Sequence, residues 1–169
     1  MTTAPDLAAR YDEAAIEADP TVPMIHIRRD FSATPDQLFR AHTDPELFAR
    51  WIGPDGMQAE VLAWDATDNG RWRYAGSDRD GNAQYFRGSF HTVSPTRIVQ
   101  TFTWEGMPDA VALETVTFED LGDGRTRLHA RSLCDSFEDR DLWISNSGME
   151  VGVHQGYASL DRMLADGSV

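Results

Sequence analysis

The stretch MIHIRRDFSATPDQLFRAHTDPELFARWIGP, residues 24–54, decides how the rest of the chain is read. It opens by alternating: Ile25, Ile27, Arg29 and Phe31 share one face, and Met24, His26, Arg28 and Asp30 share the other. A period of two is that of a strand with one side against a core. Thr34-Pro35-Asp36-Gln37 then reads as a capping box with proline at the first helical position, which starts a short helix carrying Leu38, Phe39 and Ala41. Asp44 caps a second start at Pro45-Glu46. That helix carries Leu47, Phe48, Trp51 and Ile52, and Gly53-Pro54 stops it. One strand followed by two short helices makes a compact corner.

Downstream the period of two returns six times, in Met57–Asp65, Arg71–Gly76, Ala83–Val93, Arg97–Glu105, Ala110–Glu119 and Arg125–Leu133. Turn signals such as Asp68-Asn69-Gly70, Ser94-Pro95 and Gly122-Asp123-Gly124 separate them, so neighbours are expected to pair as antiparallel hairpins. The chain then changes to a helical period. Ser147-Gly148-Met149-Glu150 reads as another capping box, and Met149, Val153, Tyr157, Leu160 and Leu164 form one apolar stripe. Gly152 and Gly156 interrupt this helix at a cost of about 1 kcal/mol each relative to alanine. Either the helix approaches the sheet closely there, or room is left for a guest molecule.

These elements imply an α+β fold: a curved seven-stranded antiparallel sheet, two short helices, and a long C-terminal helix covering the concave face. The sequence holds 169 residues, which suits a single domain over residues 22–166. Residues 1–21 read as an extension. Leu7, Tyr11, Ala14, Ala15 and Ala18 lie at helical spacing there, as a short helix that frays or that serves as a lid or the arm of a homodimer.

Composition excludes several classes. There are 15 basic residues against 28 acidic ones, a net charge of −13, which argues against nucleic acid or an anionic membrane as partner. Every basic residue is arginine, so Schiff-base lysine chemistry and a P-loop are excluded. Cys134 is the lone cysteine, leaving no intrachain disulfide and no thiolate zinc cluster. The acidic N-terminus has no signal-peptide core and no stretch is long enough to insert in a membrane, so a cytoplasmic location is expected.

The order of several motifs resembles a known family. Arg29, Phe31, Ala33, Phe39, Ala41, Thr43-Asp44-Pro45-Glu46, Trp51 and Gly53-Pro54 look like the opening of the SRPBCC (START/Bet v 1-like) superfamily, in the branch named after the C-terminal domain of the Hsp90 ATPase activator Aha1. Gly70-Arg71-Trp72, Gly88-Ser89-Phe90, Pro95-Thr96-Arg97-Ile98-Val99, Glu105-Gly106-Met107-Pro108 and Gly124-Arg125-Thr126-Arg127-Leu128 are similar to later elements. The resemblance covers about residues 24–165 and implies the helix-grip fold, with an apolar cavity between sheet and final helix. It implies little about activity, since that fold serves carriers, cyclases and stand-alone domains alike.

Strand parity suggests what would line such a cavity. Trp72 and Tyr74 share a face, as do Gln100, Phe102 and Trp104 with Ile98. Glu114 shares its face with Ala112, Val116 and Phe118, and Met149, Val153 and Tyr157 look across from the helix. These side chains either fill a core or form an aromatic, mostly apolar pocket for a small apolar or aromatic molecule. An inward Glu114 would need a partner, Gln100 or Arg29, and would act as an acid or base or else fix strand register.

The histidines form no metal signature, no cofactor is called for, and no nucleophile motif surrounds any serine or Cys134. His26 and His129 are expected side by side on the outer face; His154, next to Val153, would reach the cavity rim only in the lesser of its two readings. Residues 135–141 (DSFEDRD) read as an acidic connection, with Phe137, Leu142 and Trp143 as anchors or as the gate of a cavity mouth. The leading expectation is a non-catalytic ligand-binding domain. A polyketide cyclase or aromatase-like enzyme is the first alternative, and a chaperone-interaction domain of the Hsp90 type the second.

Overall fold

The computed structural model describes residues 10–146 and 148–169. The elements in chain order are β1 (Ala15–Ala18), β2 (Met24–Phe31), α1 (Pro35–Thr43), α2 (Pro45–Trp51), β3 (Gln58–Trp64), β4 (Arg71–Ser77), β5 (Ala83–Ser94), β6 (Arg97–Trp104), β7 (Val111–Gly122), β8 (Arg125–Leu133), α3 (Phe137–Asn146) and α4 (Met149–Ala165). The strands form one eight-stranded sheet in the order β1-β2-β8-β7-β6-β5-β4-β3, and every neighbouring pair is antiparallel.

The corner at residues 24–54 forms as its residues dictate. Thr34 and Gln37 make a reciprocal capping box at α1, and the Asp44 carboxylate accepts the Glu46 and Leu47 amides at the start of α2. The Trp51 indole donates to the Ala41 carbonyl at 2.9 Å and locks the two helices together.

The sheet has one strand more than the seven expected, and the extra one comes from the N-terminal extension. Ala15–Ala18 forms edge strand β1, with Ile16 opposite Ile27 and Ala18 opposite Ile25; Leu7 lies outside the described residues. A helix so short is marginal in water, whereas the open edge of β2 offers a ladder of backbone partners. Tyr11 extends the attachment: its carbonyl accepts the Asp30 amide at 2.8 Å and its amide donates to the Asp30 carboxylate at 3.2 Å. Asp30, nearly fully buried, also takes two bonds from Arg127 at 2.8 and 3.0 Å. Burial alone would raise its pKa, but Arg127, the Tyr11 amide and Arg125 together hold it below the ordinary value.

Bulges between Val61 and Ala63, Phe90 and Thr92, and Asp120 and Gly122 bend the strands. At Gly88 a Cβ would lie 2.0 Å from the Thr101 carbonyl oxygen and 2.6 Å from the Trp72 ring, so only glycine lets β5 pass there.

Helix α4 crosses the concave face and meets it unevenly. Its second half is packed solid: Leu160 and Met163 are buried, in one core with Phe31, Leu38 and Leu128. Arg29 bonds Asp161 at 2.6 Å and ties β2 to this half. The first half stands off. The capping box expected at its start falls partly outside the described residues; Gly148 occupies the N-cap position with φ 59° and no side-chain cap. The acidic connection expected at residues 135–141 is largely helical, being the start of α3. Among the described residues no helix is long and apolar enough to cross a membrane.

Candidate functional site

A cavity of about 700 Å³ lies between the sheet and the first turns of α4. Alternation along each strand builds its floor. Trp72 and Tyr74 of β4 rise into it beside Phe86 of β5, and the Trp72–Tyr74 and Tyr74–Phe86 ring pairs are near-parallel, at 22° and 20°. Gln100, Phe102 and Trp104 of β6 continue the wall, and Glu114 follows on β7. Met149, Val153 and Tyr157 of α4 face them. All nine side chains singled out by strand and helix parity thus line one cavity.

Glu114 sits in a cross-strand row, opposite Gln100 on β6 and Ser132 on β8. The Gln100 amide donates to its Oε1 at 2.7 Å and the Ser132 hydroxyl to its Oε2 at 3.3 Å. Burial raises the carboxyl above the ordinary glutamate value, and these two bonds offset part of the rise. Arg29, the other partner considered, does not reach it. Arg29 is committed to Asp161 and to the face of Phe31 at 4.9 Å, because α4 brings an acid to its tip.

Two tyrosines share the space. Burial, first, and then the charge of Glu114 push the hydroxyls of Tyr74 and Tyr157 far up, so both stay protonated. The Trp72 indole N–H is buried without a partner among the described residues. Leaving such a donor unsatisfied costs about 1–3 kcal/mol.

Several wall residues were not singled out from sequence. His42 of α1 donates from Nδ1 to the Leu38 carbonyl at 2.7 Å, and burial lowers its pKa to about 4. Trp51 and Phe48 come from the helical corner and Phe86 from β5. Parity on Ala83–Val93 carried the signal for Phe86. For the corner residues no local signal existed, since which side of a short helix meets a cavity is set by tertiary packing. Trp143 of α3 packs on Phe102 at 5.6 Å and closes one side, so the segment read as a gate contributes a wall. Cys134 lies on the same wall, its thiol pushed up to about 11 by burial.

The remaining histidines divide. His26 and His129 do lie side by side outside the cavity, with ring nitrogens 3.1 Å apart and Asp19 at 3.3 Å on the far side of His26. His154 is not on the cavity wall, because Val153 takes the inward position on that turn of α4. No group of three or more His, Cys, Asp or Glu side chains among the described residues could hold a metal ion.

A curved antiparallel sheet gripping one long C-terminal helix, with a cavity where the two diverge, defines a helix-grip protein. Residues 32–165 match the family described as activator of Hsp90 ATPase homolog 1-like protein, and the chain belongs to that family. Solved structures agree on the fold. A crystal structure from Rhodobacter sphaeroides is 25% identical with a TM-score of 0.82, covering 92% of this chain and 99% of that one. A solution structure from Arthrobacter aurescens is 24% identical with a TM-score of 0.81, covering 90% and 91%. A protein titled AHSA1 from Silicibacter pomeroyi is 20% identical with a TM-score of 0.70, covering 85% and 99%. No curated protein matches the sequence.

Proposed function

We propose that the chain binds a small apolar or aromatic molecule in this cavity, through Trp72, Tyr74, Gln100, Phe102, Trp104, Glu114, Met149, Val153 and Tyr157. The observation that carries the reading is a space of about 700 Å³ whose mostly apolar lining is rich in aromatic rings. Such a volume suits a drug-sized ligand. Burying the ligand's apolar surface would drive binding at about 25 cal/mol per Å², and the Glu114 row would orient it.

Native mass spectrometry of freshly purified chain tests this. The expected result is a fraction of molecules carrying one extra mass of a few hundred daltons, released on denaturation. A bare chain that also takes up nothing from a mixed library of apolar compounds would contradict it.

A second reading, a cyclase-like enzyme, draws on Glu114 facing the same space as Tyr74 and Tyr157, an arrangement able to donate and accept protons. It requires turnover to fall when Glu114 is replaced. The family description also names an activator of the Hsp90 ATPase. A chaperone contact would use the outer surface and would leave the cavity without a purpose. The proposed setting is cytoplasmic, and the net charge of −13 argues against nucleic acid as a partner.

A further inference from the structure

We propose that the cavity takes an organic cation, a protonated amine carried on an apolar or aromatic body, with Glu114 as its counter-ion. The inference rests on the reading of this cavity as a small-molecule site and names the ligand's charge.

Three observations converge. First, among the described residues no arginine lines the cavity, although the chain holds 15 of them. Nothing there would neutralise a carboxylate or phosphate on a ligand. Second, both groups bound to Glu114 give hydrogen bonds to it, Gln100 at Oε1 and Ser132 at Oε2. A carboxylate has about four acceptor positions, so room is left for a further donor, and the row is arranged for the ionised acid. Third, the adjoining walls are rich in aromatic rings, with Trp72, Tyr74 and Phe86 in a near-parallel row and Phe102 beside Trp72 at 5.3 Å. Ring faces carry the negative end of the aromatic quadrupole and attract cations. Beyond the cavity, the net charge of −13 steers cations toward the chain.

The groups facing Glu114 across the space are Tyr74 from β4 and Tyr157 from α4, with His42 and Cys134 further along the wall. Arg29 acts on Tyr157 but is bound to Asp161. Among the described residues no competing positive charge therefore lines the cavity. Burial raises the Glu114 pKa above the ordinary glutamate value, so part of the acid can hold a proton before a ligand binds. When an ammonium arrives, any proton held by Glu114 leaves to the buffer, the carboxylate and the ammonium form the pair, and no other bond changes.

The test compares three probes of one shape: 3,3-diphenylpropylamine, 3,3-diphenylpropan-1-ol and 3,3-diphenylpropionic acid. Calorimetric titration at pH 7.5, in two buffers of different ionisation enthalpy, reads affinity and proton release together. The amine is expected to bind at least about tenfold more tightly than the alcohol, with the acid weakest, and to release up to one proton. In Glu114→Gln, checked for folding by its melting curve, amine and alcohol should bind alike. Proton release by the unsubstituted chain stands as evidence even if that variant does not fold. If the alcohol or the acid binds as well as the amine, or if the amine's advantage survives in Glu114→Gln, the cation reading is overturned while ligand binding stands. If no probe binds, both readings fall.

Discussion

His42 shows how the cavity wall governs a single titration. Its Nδ1–H is spent on the Leu38 carbonyl and its ring packs between Trp51 at 4.8 Å and Phe118 at 5.2 Å. Burial holds its pKa at about 4 against an ordinary 6.5, so the folded chain refuses a proton that the unfolded chain accepts. Stability should therefore fall as the pH drops from about 6.5 to about 4, by roughly 3 kcal/mol at about 1.4 kcal/mol per unit. Urea unfolding across this range should show a fall in at least that direction in the unsubstituted chain, and His42→Asn should remove the His42 share while His129, also held at about 4 by burial, keeps its own. An unchanged slope in the variant would refute the assignment. Glu114 gives the opposite sign: its raised pKa means that stability is lost as the pH rises above the ordinary glutamate value. Its inward direction was legible from alternation alone, and so was Gln100 as a partner, because the two face each other across β6 and β7. The separation of Arg29 from Glu114 was not legible. It depends on Asp161, far along the chain, arriving over β2.

Helix α4 separates its two glycines: one is a close approach, to the end of α2 rather than to the sheet, and the other borders the cavity. A Cβ on Gly156 would come within 3.0 Å of the Trp51 carbonyl oxygen and 3.3 Å of the Gly53 amide, so α4 approaches the end of α2 closely there. At Gly152 the nearest atom would be Pro54 Cδ at 3.7 Å, an ordinary contact, and this residue lies on the cavity wall. Gly156→Ala is accordingly expected to destabilise by about 1–3 kcal/mol through overpacking against rigid backbone. Gly152→Ala should stabilise by about 0.5–1 kcal/mol through the helix's own preference. Chemical denaturation of both variants checks this, and equal effects would show the distinction to be false. The seven strands of the main sheet and the two capped helices were readable because period and capping are local. β1 and α3 were not. β1 takes its conformation from the free edge of β2, and α3 has weak apolar periodicity, being held by Trp143 against Phe102.

The cavity follows from a bent sheet that α4 meets closely along its second half. Solid packing at Leu160 and Met163 fixes one end of α4 on the sheet, and curvature opens a gap under the other. The sequence announced the grip through its order of elements and its nine inward side chains. Whether those side chains met or stood apart depended on the sheet's curvature, which no local pattern encodes. Among the described residues Glu114 is the one acidic side chain on the cavity wall, in a chain whose net charge is −13. The most direct test of the account is a fluorescence titration with N-phenyl-1-naphthylamine, a neutral apolar probe that brightens when shielded from water. It should be run on the unsubstituted chain and on Ala112→Trp, where an indole is placed on the cavity wall at a buried alanine. The account predicts saturable binding of one probe per chain, lost in a variant whose circular dichroism is unchanged. No saturable signal, or equal binding by both folded proteins, would contradict it.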